Sequence, residues 1–194
     1  MIPKKLSTST DQLFVIEHLQ RLRGEDRRLR FGGTVTDEFI ERYVKESWDK
    51  EDSQWFGCIS KWKVVSACHV AIYNGEAELG CSVDPKYRGR GLAQVMFDRA
   101  VTYLRTKNIL NVYMHCLTEN QAMRHIAQKN DMVVVSCQGE SDAKVEVEAA
   151  TPLTAYKDAY FDRMALYDMI IRNQTEMLDA FLEPFYEKRK TNID

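Results

Sequence analysis

The residues with the clearest chemical signature run from Glu78 to Ala93, ELGCSVDPKYRGRGLA. A half-apolar strand reaches Asp84-Pro85 and passes into Arg88-Gly89-Arg90-Gly91-Leu92-Ala93. After it, Leu92, Val95, Met96, Ala100, Tyr103 and Leu104 recur at helical spacing. A glycine-rich turn therefore opens a helix directly after a strand. The first turn of a helix carries backbone N–H groups with no internal partner, glycines let a ligand approach that backbone, and Arg88 and Arg90 add positive charge. This is an anion site suited to phosphate or pyrophosphate. It is not a P-loop, because no Lys-Ser or Lys-Thr follows Gly91. Nor is it the dinucleotide fingerprint, because Gln94 stands where a third glycine belongs.

Two further groups could move protons. Glu78 lies on the strand that feeds the glycine turn, where a semi-buried carboxylate rises in pKa toward values useful in catalysis. Its bland reading is a solvent-facing or ion-paired carboxylate, and Glu76 on the same face is a rival. His115 on the neighbouring strand could relay a proton, although strand histidines are more often satisfied core or edge residues. His18, His69 and His125 carry weaker claims. The five cysteines, at positions 58, 68, 81, 116 and 137, fall inside expected strands with no CxxC pair and no histidine at metal-ligand spacing. Buried free thiols in a reducing compartment are expected, and no metal. A cysteine nucleophile carrying an acyl group is the functional alternative, but nothing nearby in sequence would depress a thiol pKa.

Arg88-x-x-Gly91-x-Ala93, preceded by Val83-Asp84-Pro85-x-Tyr87, resembles the coenzyme A loop of the GNAT superfamily of acyl-CoA-dependent N-acyltransferases. A second stretch agrees with it. Leu110 to Leu117 reads as a strand, Thr118-Glu119-Asn120-Gln121-Ala122-Met123 opens a helix running to about Asn130, and Asp131-Met132 leads into the apolar strand Val133 to Cys137. This resembles the superfamily's second acyl-CoA motif, in which an Asn at the helix start contacts the pantetheine arm. The usual ending is Tyr-x-Lys-x-Gly-Phe, whereas this chain has Ala127, Lys129, Asp131 and Met132. The tyrosine that often protonates the departing thiolate is thus absent. An alanine there resembles the bacterial protein-lysine acetyltransferase subgroup.

The resemblance implies acetyl-CoA as co-substrate, held by Cys81, Ser82, Val83, Arg88, Gly89, Arg90, Gly91, Leu92, Ala93 and Asn120, with no metal. It implies direct transfer of the acetyl group to a primary amine, either a protein lysine or a small molecule. Glu78 is then the general base, His115 the second catalytic candidate, and the thiolate leaves with help from water. Asn120 would serve equally as a plain helix cap, and Arg124 and Lys129 either reach the 3′-phosphate or are solvated helix charges. A catalytically silent acyl-CoA-binding regulatory or assembly module is the alternative. The missing acid and the Asn130-Asp131 ending support it, and the Ala77-Glu78 context tells against it.

These residues need a scaffold, and the chain is long enough for one core. With 194 residues, 44% hydrophobic and 29% charged, a soluble globular α/β (α+β) chain is expected. No segment approaches the roughly eighteen apolar residues of a membrane span, and no apolar signal core opens the chain, so a cytoplasmic address is expected. The formal net charge of -2 argues against a nucleic-acid partner.

The expected order is a short edge strand at Lys4 to Ser7, a helix capped by Thr10 or Asp11 and ended by Gly24 after about Arg23, and a second from Thr36-Asp37 to Trp48. Between them Arg21 to Gly33 is the most basic stretch. It reads as a solvated helix face with internal Glu25 and Asp26 pairs or, as the resemblance implies, as a border of the acceptor side. Strands follow at Gln54 to Ser60, Lys63 to Tyr73 and Glu76 to Val83, the last two joined by a hairpin at Asn74-Gly75.

With strands at 110–117, 133–138 and 143–149, the sheet is mixed and mostly antiparallel, with six or seven strands flanked by helices. The strand of Glu78 and the one from Leu110 should be parallel neighbours, because a helix joins them. Residues 1–152 form this GNAT-like domain. In 153–194, Tyr156, Tyr160, Met164, Tyr167, Ile170, Ile171, Leu178, Phe181, Leu182 and Phe185 make an apolar helical stripe, broken near Pro184, that packs back on the core or joins a homodimer.

Overall fold

A computed structural model describes residues 1–190 of the chain, with side chains beyond Ile171 described only at Gln174, Thr175, Met177 and Leu178. The order is β1 (Lys4–Leu6), α1 (Ser9–Arg21), α2 (Gly24–Phe31), α3 (Asp37–Trp48), β2 (Ser53–Ser60), β3 (Lys63–Tyr73) and β4 (Glu76–Val83). Then come α4 (Leu92–Thr106), β5 (Asn111–Leu117), α5 (Gln121–Lys129), β6 (Val133–Cys137), β7 (Glu140–Glu146) and α6 (Pro152–Lys190). The seven strands form one sheet in the order β1-β2-β3-β4-β5-β7-β6. Among the described residues only β4 and β5 run parallel, as their connection through α4 requires.

Each face of the sheet carries its own core. On one, Ala77 and Leu79 of β4 pack with Met96, Phe97, Ala100 and Leu104 of α4. On the other, Val15, Leu19, Ile40 and Val44 of α1 and α3 pack on Trp55 and Val64. The β3–β4 turn places Asn74 and Gly75 at φ 51° and 81°, the two left-handed positions of a type I′ hairpin.

Several boundaries differ from the sequence reading. Thr8 caps α1, in a reciprocal arrangement with Asp11, because Asp11 is already the third helical position. Gly24 does not end a helix. The chain leaves α1 at Leu22, runs extended through Arg23, and uses the φ of 48° at Gly24 to turn into α2, so the basic stretch is a helix in its own right. β7 begins at Glu140, ahead of the expected start, because Gln138 and Gly139 at φ 49° and 91° form a tight hairpin with β6. β6 is an edge strand, so Cys137 is exposed while Cys58, Cys68 and Cys116 are buried. None of the five cysteines forms a disulfide among the described residues.

The helix α6 extends through Lys190 without the break expected at Pro184. Proline removes one backbone bond, which the many intact bonds on either side offset. Phe181, Leu182 and Phe185 of the expected stripe lie outside the described side chains. The inner side of α6 docks on α4, where buried Arg99 receives Asp158 and Asp162 and lies over the Phe56 ring. Its other side exposes Tyr156, Tyr160, Tyr167, Ile171 and Leu178. Among the described residues no helix is long and apolar enough to cross a membrane.

One core histidine makes stability pH-dependent. His69 stacks on Trp55 with ring centroids 4.4 Å apart, and its two nitrogens lie 2.6 Å from Tyr43 Oη and 2.7 Å from Ser53 Oγ. Burial first, then the charges of Arg30 and Lys50, push its pKa down to about 3. The unfolded ring takes up its proton near pH 6.5, so stability present above that value is lost as pH falls toward 3. Buried His18 is lowered too and acts in the same direction, while exposed His115 is raised and acts weakly in the other. Between pH 7.5 and 5, His69 should account for about 2 kcal/mol of lost stability. In urea titrations at the two pH values, His69→Gln should shrink the difference by about that amount, and an unchanged difference would exclude His69 as the titrating group.

Candidate active site

β4 is paired on one side along its whole length and on the other only at its start. β3 accompanies it from Glu76 to Val83. β5 pairs with it at Glu76↔Asn111, Ala77↔Val112 and Glu78↔Tyr113, and no further. Beyond Glu78 the two parallel strands part, leaving the β5-facing backbone of β4 without a strand partner. A cavity of about 460 Å³ opens at the gap. Cys81, Ser82 and Val83 of β4 line it, with Arg88, Gly89, Gly91, Leu92 and Ala93 of the turn and Asn120 ahead of α5. The structure thus gathers all but one of the expected coenzyme residues around one space. The exception is Arg90, whose Nη2 donates to the Lys86 carbonyl at 3.1 Å while its guanidinium lies over the Tyr87 ring.

The glycine turn has the backbone that its composition anticipates. Gly89 and Gly91 have φ of 71° and 75°, values that side chains other than glycine rarely adopt. Gly91 caps α4 without any side-chain acceptor, so the first-turn N–H groups keep their donors for a ligand. Arg88, His125 and Lys129 add basic groups to the lining, and Leu22, Leu29, Met123 and Ile126 add an apolar wall. Arg88 is already matched, since its Nη2 lies 2.8 Å from Asp26 Oδ1 of α2. Such a lining fits a ligand with phosphates at one end and an uncharged arm. Among the described residues no group of three or more His, Cys, Asp or Glu could hold a metal ion.

Asn120 is a helix cap and also a brace between two elements. Its Oδ1 accepts from the Met123 N–H at 3.2 Å, capping α5, and its Nδ2 donates to the Leu29 carbonyl of α2 at 3.3 Å. It therefore fixes one wall of the cavity against the other. Arg124 does not line the cavity; its Nη1 donates to the Thr118 carbonyl at 3.3 Å.

Three features here escaped the sequence reading. Ser82 Oγ lies 2.9 Å from Nε2 of buried His18, whose Nδ1 is 3.1 Å from Asp84 Oδ1. Arg21 Nη2 holds the other oxygen of Asp84 at 3.0 Å. The array anchors α1 to the strand end that becomes the coenzyme turn, and burial keeps His18 neutral by lowering its pKa. Cys81 faces Cys68 across the β3–β4 pair with sulfurs 3.0 Å apart. The shared hydrogen bond, aided by the charge of Arg30, lowers the Cys81 pKa, while the same bond and burial raise that of Cys68. Arg30 itself reaches the cavity from α2. The groups in each of these features come from positions far apart in the chain, so no local pattern announces them.

Glu78 and His115 lie outside the cavity lining. Glu78 is exposed at the last paired position of β4, and His115 follows two residues after its partner Tyr113. The Nδ1 of His115 is 2.6 Å from Asp142 Oδ1, and this bond, with the nearby Glu140 and Glu78, raises the histidine pKa. Glu76, the rival of Glu78, is engaged, accepting from Tyr113 Oη at 2.8 Å and lying 3.7 Å from Lys144 Nζ. The two catalytic candidates therefore stand together on one face at the mouth of the gap, beside the coenzyme residues and not among them.

Comparison with known proteins agrees with this geometry. The family model of the acetyltransferase (GNAT) domain matches residues 12–133. Solved structures resemble the fold at low identity. The GNAT domain of Streptomyces lividans PAT is 14% identical with a TM-score of 0.65, covering 75% of this chain and 89% of that one. The PaiA N-acetyltransferase of Thermoplasma acidophilum, solved with coenzyme A, is 18% identical with a TM-score of 0.56, covering 75% and 99%. A spermidine N-acetyltransferase chimera of Vibrio cholerae SpeG and hSSAT is 15% identical with a TM-score of 0.56, covering 76% and 95%. No curated protein sequence matches the chain. With the parted strands, the uncapped helix and a domain match over most of the sheet, the chain belongs to the GNAT acetyltransferases, a family of acyl-CoA-dependent enzymes.

Proposed function

We propose that this protein transfers the acetyl group of acetyl-CoA directly to a primary amine, with the coenzyme in the cavity between β4 and β5 and Glu78 as general base. The observation that carries the reading is that one continuous space joins the uncapped N-terminus of α4 to the unpaired edge of β4. The pyrophosphate is held by the first-turn N–H groups with Arg88, and the pantetheine amides add to the free edge of β4 as a short strand would. Asn120 braces the wall against which the arm lies.

At neutral pH only about one lysine-like amine in a few thousand is uncharged, so deprotonation is the step that needs help. Glu78 stands where the strands part and takes that proton, directly or through water. The amine nitrogen then bonds to the thioester carbonyl, the C–S bond breaks, and coenzyme A leaves as thiolate. With Ala127 in place of a tyrosine, solvent protonates the sulfur. His115, its pKa raised by the bond to Asp142, stands beside Glu78 as the second catalytic candidate. Glu76, Glu78, Glu119, Glu140 and Asp142 make the approach acidic, which suits a cationic amine such as a polyamine or a protein lysine. Five cysteines with no disulfide among the described residues fit a reducing, cytoplasmic setting.

The reading is tested by titrating coenzyme A into the wild type and Gly91→Trp, followed by thiol release with a panel of amines. Coenzyme binding should be lost in Gly91→Trp, which fills the turn. Glu78→Gln should keep binding while losing about 10²-fold or more in kcat. Coenzyme binding with no thiol release on any amine would favour a silent acyl-CoA-binding module. The exposed side of α6 is proposed as a homodimer surface. Sedimentation should give a dimer that Tyr160→Glu with Ile171→Glu converts to monomer, and a monomeric wild type would remove that proposal.

A further inference from the structure

Arg30 is set apart from the other basic residues of its helix. Arg27 pairs with Asp37, Arg28 with Glu25 and Glu119, and the neighbouring Arg88 with Asp26. No carboxylate pairs with Arg30 among the described residues. Its Nη2 meets only the Tyr43 hydroxyl, at 3.3 Å, and its Nε is fully buried with no hydrogen-bond partner. The guanidinium lies over the Phe31 and Tyr43 rings, 5.0 Å and 5.9 Å from their centroids. The other groups facing it are the neutral His69 ring and the sulfurs of Cys68 and Cys81.

The position is a built one. Arg30 sits against Gly80 of β4 so closely that a Cβ there would come within 2.7 Å of Nη2. It lines the same cavity as the coenzyme turn, whereas Glu78 and His115 do not. Arg30 shares the lining with Arg88, Val83, Ser82 and Cys81, and the strand residue it stands against, Gly80, lies just beyond that lining. An enclosed arginine fork with unused donors is matched by a carboxylate, which accepts two parallel N–H bonds.

We propose that Arg30 binds a carboxylate at the reacting end of the substrate, and that this carboxylate belongs to the acyl chain: the cavity takes dicarboxylic acyl-CoA thioesters of the succinyl class alongside acetyl-CoA. The lining favours the acyl chain over the acceptor, because Arg30 borders the coenzyme space and Glu78 does not. The chemistry is unchanged by the longer chain. The amine nitrogen bonds to the thioester carbonyl, the C–S bond breaks, the amine proton passes to Glu78, and the distal carboxylate is carried intact into the amide product.

This deepens the proposed acyl transfer and rests on it, so the test begins with coenzyme A itself. Coenzyme A, acetyl-CoA and succinyl-CoA are titrated calorimetrically into the wild type, Arg30→Met and Gly80→Ala, the last pushing the guanidinium aside without removing it. Succinyl-CoA should bind the wild type about tenfold more tightly than acetyl-CoA, and the gap should close in both variants. Equal affinities in a wild type that binds coenzyme A would overturn this inference alone. Failure of coenzyme A to bind would remove the underlying reading as well. Thiol release from acetyl-CoA supplies the other arm. If it favours an α-amino acid over the matching amine without a carboxylate, and Arg30→Met erases that preference, the carboxylate lies on the acceptor and the acyl assignment is overturned.

Discussion

A backbone edge cannot pair with a neighbouring strand and with a ligand at once, and the arrangement of this protein follows from where that choice is made. β4 pairs with β5 for three residues, then gives up the ladder while β3 still holds its other edge. The unpaired N–H and C=O groups would be a liability in an ordinary edge strand. Here they face an internal cavity, screened by α2 on one side and α5 on the other. β5 is not left loose by the parting, because β7 pairs with it from Asn111 to Leu117. The gap is thus held open by two rigid half-sheets.

The short helix α2 is the movable-looking part of that frame, yet it is tied at several points. Arg27 reaches Asp37 at the start of α3 and donates to the Leu22 and Gln20 carbonyls. Arg28 reaches Glu119, and the Leu29 carbonyl accepts from Asn120. Asp26 holds Arg88 of the coenzyme turn. Each ion pair has at least one partner open to solvent and is individually weak. Together they set α2 across the cavity, so the stretch that looks like a run of surface charge in sequence is a wall of the site.

Much of this was legible from the chain alone, for a definable reason. The coenzyme turn depends on glycines, a proline and a helix start that are adjacent in sequence, and Asn74-Gly75 encodes its hairpin locally. Every expected strand forms. What could not be read depends on contacts between distant segments. Arg30 gains its character from Gly80 and Tyr43, and His18 from Ser82 and Asp84. Gly24 was misread because a glycine at positive φ ends one helix as readily as it turns into the next. Cys137 was expected inside because its strand is apolar, but the strand lies at the sheet edge, where Val133 and Val135 are also exposed.

The packing of α6 bears on how the protein comes into being. This last helix packs on β1, and the Ile2 N–H donates to Asp168 at 3.4 Å, so the first residues of the chain meet the middle of α6. During synthesis the first strand emerges long before the helix that shields it. Until then the sheet border at Lys4–Leu6 stays open to other chains. The nascent domain can assemble its coenzyme pocket early, but β1 gains its cover only once α6 has left the ribosome. Truncation within α6 would therefore be felt first as poor yield and self-association, ahead of any change in catalysis.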